Sequence, residues 1–213
     1  MFSETTITKA GAVPYLLSLH KFVVCSTTED GKYGFPKGNI EKISTKTPER
    51  LELLNKWKHR FSFPVSCQIS AWYSQYKSGT LPKPRPYETS MICAFRETIE
   101  ELGLDIMLPH KRFELFTPLI PNKQKDLEII IQDQDEETKQ VSNVEFFVLP
   151  VNHQYFLPSY SHTETNGTQR YIRTCTASEL SKIIKSSQRI VLDKSLELLR
   201  RYYPQEFPSK IAI

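Results

Sequence analysis

The stretch ETSMICAFRETIEELGL, residues 88–104, decides how the chain is read. Its apolar residues Met91, Ile92, Phe95, Ile99 and Leu102 recur at helical spacing, and Gly103 stops the pattern. This predicts a helix over residues 89–102. Glu97, Glu100 and Glu101 stand at i, i+3 and i+4, which puts three carboxylates on one face within a turn. Like charges so placed repel by roughly a few tenths of a kcal/mol per pair. Oxygen-only ligands of this kind suit Mg²⁺ or Mn²⁺ rather than zinc. Arg96, four residues before Glu100, can hold one carboxylate in place. The plainer alternative is a solvated acidic helix face.

Upstream of the helix the charge changes sign. Between Lys42 and Arg85 stand nine Lys or Arg against two acids, a local +7, which leaves −3 for the rest of a chain whose total is +4. Trp57, Phe61, Phe63, Trp72, Tyr73 and Tyr76 are interleaved with those bases. Bases with aromatics are what phosphate contacts and stacking on single-stranded RNA require. A small helical segment whose aromatics form its own core would look the same. Helical pieces are expected over residues 45–62, where Leu51, Leu54 and Trp57 space at three, and over 70–77.

Further out, strands are expected at residues 7–18 and 21–26, with a turn at 27–32 making hairpin arms of the chain on either side. The loop Tyr33-Gly34-Phe35-Pro36-Lys37-Gly38 follows. Beyond the helix come strand candidates at 112–119, 127–131, 144–151 and 171–176. An acidic loop at 132–140, a polar loop at 152–169 and two closing helices at 178–187 and 192–202 complete the reading. This order describes an α+β fold, an α/β/α sandwich on a mixed sheet.

Glu88, seven residues, then Arg96-Glu97-x-x-Glu100-Glu101-x-Gly103-Leu104 resembles the end of the Nudix box, G-x5-E-x7-R-E-U-x-E-E-x-G-U with U aliphatic. The segment GFPKGNIEK resembles the strand-loop that leads into that box. Two positions depart from the pattern. Pro82 stands where the glycine belongs, so Gly38 takes that role and residues 43–86 become a basic helical insertion within a single domain, 1–213. Thr98 replaces the first aliphatic residue. The resemblance implies a Nudix-type hydrolase of a nucleoside diphosphate linked to another moiety. It implies Glu97, Glu100 and Glu101 as ligands of Mg²⁺ or Mn²⁺, with the Lys37 carbonyl beside Gly38 as a further ligand. Glu88 and Arg96 become orienting residues. Any of the three glutamates can be the base. Glu164 is the expected downstream acidic ligand, with Glu137 and Glu145 as rivals.

The Pro-Lys-Gly of the loop resembles that of mRNA-decapping Nudix enzymes and of dinucleoside-tetraphosphate hydrolases, and the large, helical, basic insertion resembles those of the decapping Nudix proteins of large DNA viruses. The substrate expected is therefore a nucleotide or capped RNA, with release of methylated GDP. Lys37 would contact the polyphosphate, and Lys56, Lys58 and Arg60 the RNA body. Phe35, Tyr33 and Trp72 are candidate stacking partners. A pyrophosphatase of ADP-ribose or dinucleoside polyphosphates is the alternative within enzymes, and a non-catalytic Nudix-fold RNA-binding protein the alternative outside them.

Composition agrees with a folded domain: 213 residues, 39% hydrophobic and 24% charged, supply a core. Four cysteines without a CxxC pair point away from a zinc knuckle or a disulfide scaffold. No basic start followed by an apolar run, and no membrane-length apolar stretch, is visible. The expected compartment is the cytoplasm, or the host cytoplasm for a viral gene.

Overall fold

Period-two alternation of apolar residues builds a sheet buried on both faces. The computed structural model describes residues 7–44, 48–60, 63–104, 128–134, 141–151 and 158–204. Within them lie the strands β1 (Lys9–Leu16), β2 (Lys21–Ser26), β3 (Lys37–Asn39), β4 (Glu128–Gln134), β5 (Val141–Val151), β6 (Ser159–Thr163) and β7 (Gln169–Cys175). Their order across the sheet is β4-β5-β1-β2-β7-β6, with β3 also paired to β1. β1 and β5 run parallel, and the other pairs are antiparallel, so the sheet is mixed.

Side chains of alternate strand residues enter two separate cores. Ala10, Ala12, Val23, Cys25, Phe147 and Leu149 face one layer of helices. Val13, Tyr15, Phe22, Val24, Phe146 and Val148 face the other. The first layer holds α1 (Pro48–Trp57), α2 (Phe63–Lys77) and α3 (Ser90–Glu101); the second holds α4 (Ala177–Ile183) and α5 (Arg189–Tyr202). The α+β sandwich on a mixed sheet expected from the sequence is the architecture observed.

Local chemistry sets the helix starts. Thr89 caps α3 by accepting the N–H of Ile92 at 3.3 Å. Thr176 and Glu179 form a reciprocal capping box on α4. α3 is buried along Ile92, Phe95 and Ile99, as its spacing requires. Thr98, at the aliphatic position, is also fully buried. Its hydroxyl donates to the Ala94 carbonyl at 2.7 Å, so a polar side chain is tolerated there.

Several expectations need correction. The turn after β2 does not join two full hairpin arms. The returning chain bridges β2 only at Gly34–Cys25, then crosses to pair β3 with β1. β4 reaches Gln134, into the expected acidic loop, and the polar loop 152–169 contains β6. α2 begins at Phe63, seven residues earlier than expected. The strand candidate 112–119 and residues 135–140, with Glu137, lie outside the described residues.

The two tryptophans of the basic segment are internal. Trp57 is fully buried and Trp72 is 6% exposed, both packed with Leu51, Leu54 and Ile69 in the first core. These tryptophans hold α1 and α2 to the body of the protein and offer no face to a base. Among the described residues, no helix is long and apolar enough to cross a membrane.

Candidate functional site

The carboxyl-terminal half of α3 points its carboxylates at the loop ahead of the basic segment. Arg96, with no exposed surface, is the centre of the cluster. Its Nε and Nη2 donate to the two oxygens of Glu88 at 2.7 and 3.0 Å, a buried bidentate pair. Its Nη1 donates to Glu97 at 2.6 Å and to Glu100 at 2.8 Å. Nη2 also reaches the Asn39 carbonyl at 3.2 Å. Glu88 in turn accepts the Glu41 N–H at 3.3 Å, and its own N–H donates to the Glu41 carbonyl at 2.9 Å. One arginine thus ties the helix to the strand-loop in front of it.

Glu101 faces the other side of that loop. It accepts the Lys37 backbone N–H at 3.2 Å and the Cys25 thiol at 3.4 Å, and it pairs with Arg170 of β7. Arg170 also pairs with Glu164, on the turn between β6 and β7. Five carboxylates therefore share two guanidinium groups here. Burial pushes the Glu101 carboxyl up to about 7; Arg170 opposes the rise and Glu97 adds to it. Burial raises Glu100 as well, with Arg96 opposing. Burial by itself would lower Arg96, yet the hydrogen bonds of Glu88 and the charges of Glu97 and Glu88 raise it.

Gly38 explains how closely the loop and helix approach. A Cβ there would stand 2.0 Å from a Glu97 carboxylate oxygen. Only a residue without a side chain leaves that carboxylate where it is.

The fold brings Glu88, Arg96, Glu97, Glu100, Glu101, Lys37, Gly38 and Glu164 into one neighbourhood. The Lys37 ammonium pairs with Asp133, a buried carboxylate on β4. Glu145 sits within β5, opposite Ala10. Lys56 lines a cavity beside Glu100, Lys58 donates to the Asn55 side chain at 3.0 Å, and Arg60 belongs to the short turn Lys58–Arg60. Phe35 does not belong to the site. It is 2% exposed in the second core, packed edge-on against Phe22 and Phe146, with its N–H donated to Gln188 at 2.7 Å. Tyr33, 1% exposed, lies in the same core. Neither ring is open to a nucleobase.

Sequence reasoning missed Arg170, Asp133, Cys25 and Arg50. Arg50 pairs with Glu41 and lies 4.0 Å from Glu100. Each reaches the site only through tertiary contact, so no local spacing announces it.

The donor set fits a hard dication in chemistry. It is made of carboxylate oxygens, and it holds more negative charge than its arginines offset. Among the described residues no three acidic, His or Cys side chains converge in ion-holding geometry, because the carboxylates rest on Arg96 and Arg170.

No protein-family model matches the chain, and no curated protein matches it. Among solved structures, the crystal structure of C. elegans Ap4A hydrolase is similar over 90% of this chain and 97% of that one, at 14% sequence identity and a TM-score of 0.40.

Proposed function

We propose that the chain is a Nudix-type, Mg²⁺- or Mn²⁺-dependent hydrolase that cleaves a phosphoanhydride in a nucleoside diphosphate linked to another moiety. The observation that carries this is the crowding of five carboxylates on two arginines where α3 meets the Gly38 loop. Such an excess of buried charge is costly unless a further cation offsets it. Glu97, Glu100 and Glu101 would hold the ion. When bound, a dication neutralises the pyrophosphate and lowers the pKa of a coordinated water. Glu88 and Arg96 orient the helix, and a neighbouring carboxylate takes the proton of the attacking water.

For the substrate we propose the 5′ cap of mRNA. Its support is the +7 segment, which supplies positive charge next to the acidic site as an RNA body requires. The cavity under α1 favours a second reading, a dinucleoside polyphosphate or ADP-ribose held wholly within the protein. The deciding experiment incubates the protein and Mg²⁺ or Mn²⁺ with cap-labelled RNA, free cap analogue, ADP-ribose and diadenosine tetraphosphate. Cleavage of capped RNA but not free cap supports decapping. Cleavage of small nucleotides alone supports the second reading. RNA binding without any turnover would replace both with a non-catalytic role.

Two variants probe the parts separately. Replacing Lys56, Lys58 and Arg60 together by Ala should weaken RNA binding and flatten its salt dependence, by about 0.7 in logarithmic slope for each phosphate no longer neutralised. An unchanged slope returns these residues to a purely structural role. Gly38→Ala should lower the melting temperature, since the displaced Glu97 carboxylate gives up its hydrogen bond to the buried Arg96. By displacing Glu97 it should weaken Mn²⁺ binding about 10-fold in calorimetry. Undiminished binding would show that Glu97 can move without cost.

A further inference from the structure

A cavity of about 790 Å³ opens between α1 and the β6–β7 turn. Arg50, Leu53 and Lys56 line it from α1, Thr165 and Asn166 from the turn, and Glu100 from α3. Its volume falls within the range of small-molecule sites, about 300–1,000 Å³. Glu100 is shared between this cavity and the Arg96 cluster, so the cavity adjoins the proposed reaction centre directly.

We infer that this cavity takes the base and sugar of the substrate, and that the insertion helix α1 is thereby a wall of the active site. This rests on the hydrolase reading above. The lining decides between the parts of a nucleotide. Leu53 gives apolar surface for a planar ring, and Thr165 and Asn166 give groups that bond hydroxyls and amines. Glu49, Glu52, Glu100 and Glu164 outnumber Arg50 and Lys56 in the lining, and this excess of negative charge disfavours a bare phosphate chain. The phosphates therefore stay over the α3 carboxylates, where the dication would meet them, and the uncharged end turns under α1.

The test fills the cavity from opposite walls with Leu53→Trp and Thr165→Trp, read by steady-state kinetics on the substrate found active. Calorimetry with Mn²⁺ and with methylene-bridged adenosine and guanosine polyphosphates accompanies it. Each variant should raise KM about 10-fold or more, lower kcat by less than about 3-fold, weaken the analogues equally and leave Mn²⁺ binding intact. Thr165 lies on an exposed turn, so its variant carries the test if Leu53→Trp fails to fold. Wild-type KM and analogue binding in an active protein would overturn the inference and leave the hydrolase reading standing. Absence of both turnover and Mn²⁺ uptake in the wild type would overturn the hydrolase reading. The inference then falls with it unless the analogues bind and the two variants weaken them.

Discussion

Arg96→Met is expected to cost about 3–5 kcal/mol of folding stability. Arg96 is fully buried and makes hydrogen bonds to Glu88, Glu97, Glu100 and the Asn39 carbonyl. Methionine fills a similar volume without donating, so the measured loss is chiefly that of leaving buried carboxylates unpaired. Glu88 suffers most, because Arg96 covers both of its oxygens. Burial already raises the Glu100 carboxyl and Arg96 opposes the rise, so without the arginine Glu100 takes up a proton more readily and the deficit should shrink between about pH 8 and pH 5. Arg96→Lys keeps the charge but not the fork, and should fall between methionine and wild type. Urea titrations at the two pH values measure all of this. A methionine variant within about 1 kcal/mol of wild type at pH 8 would show that the cluster holds together without its arginine.

Where the sequence was informative, local physics and tertiary structure agreed. α3 was legible within a residue at each end, because its apolar stripe, the Thr89 cap and Gly103 all depend on neighbours within a turn or two. β2 was legible for the same reason, its alternating Phe22, Val23, Val24 and Cys25 feeding two cores. β6 was not, because in the edge strand SYSHT the two side chains that turn inward are the polar Tyr160 and His162, so the alternation carries no apolar pattern. The start of α2 carried a signal that went unread: Pro64 at an early helical position, where its missing N–H costs nothing. Trp57 shows how two readings can compete for one residue. Its spacing with Leu51 and Leu54 marks a core face, while its basic neighbours suggest stacking, and burial decided for the core. Arg170 and Asp133 had no signal at all, since each meets α3 or its loop only after the sheet has assembled.

The loss of turnover should be greatest at Glu101. Glu101→Gln is expected to lower kcat by about 10²–10⁴-fold, the span over which a proton-transferring or charge-holding group acts. Its stability should move the other way. Burial raises the folded-state pKa of Glu101 to about 7, above the usual value of 4.5. The stabilisation linked to that proton is fully present below the unfolded value and is lost as pH rises through 7. At pH 8 in chelator, the wild type therefore carries a disfavoured buried anion, whereas glutamine is neutral at every pH. The variant should melt at or above the wild-type temperature at pH 8, with its relative advantage fading toward pH 5. Added Mn²⁺ should reverse the ranking, because an ion that binds only the native state stabilises it by mass action and glutamine weakens that binding. Thermal melts with and without Mn²⁺, beside single-turnover rates, separate these effects. A glutamine variant that retains wild-type turnover, or a wild type whose melting ignores Mn²⁺, would mean that the acidic turn of α3 is a structural feature and not a reaction centre.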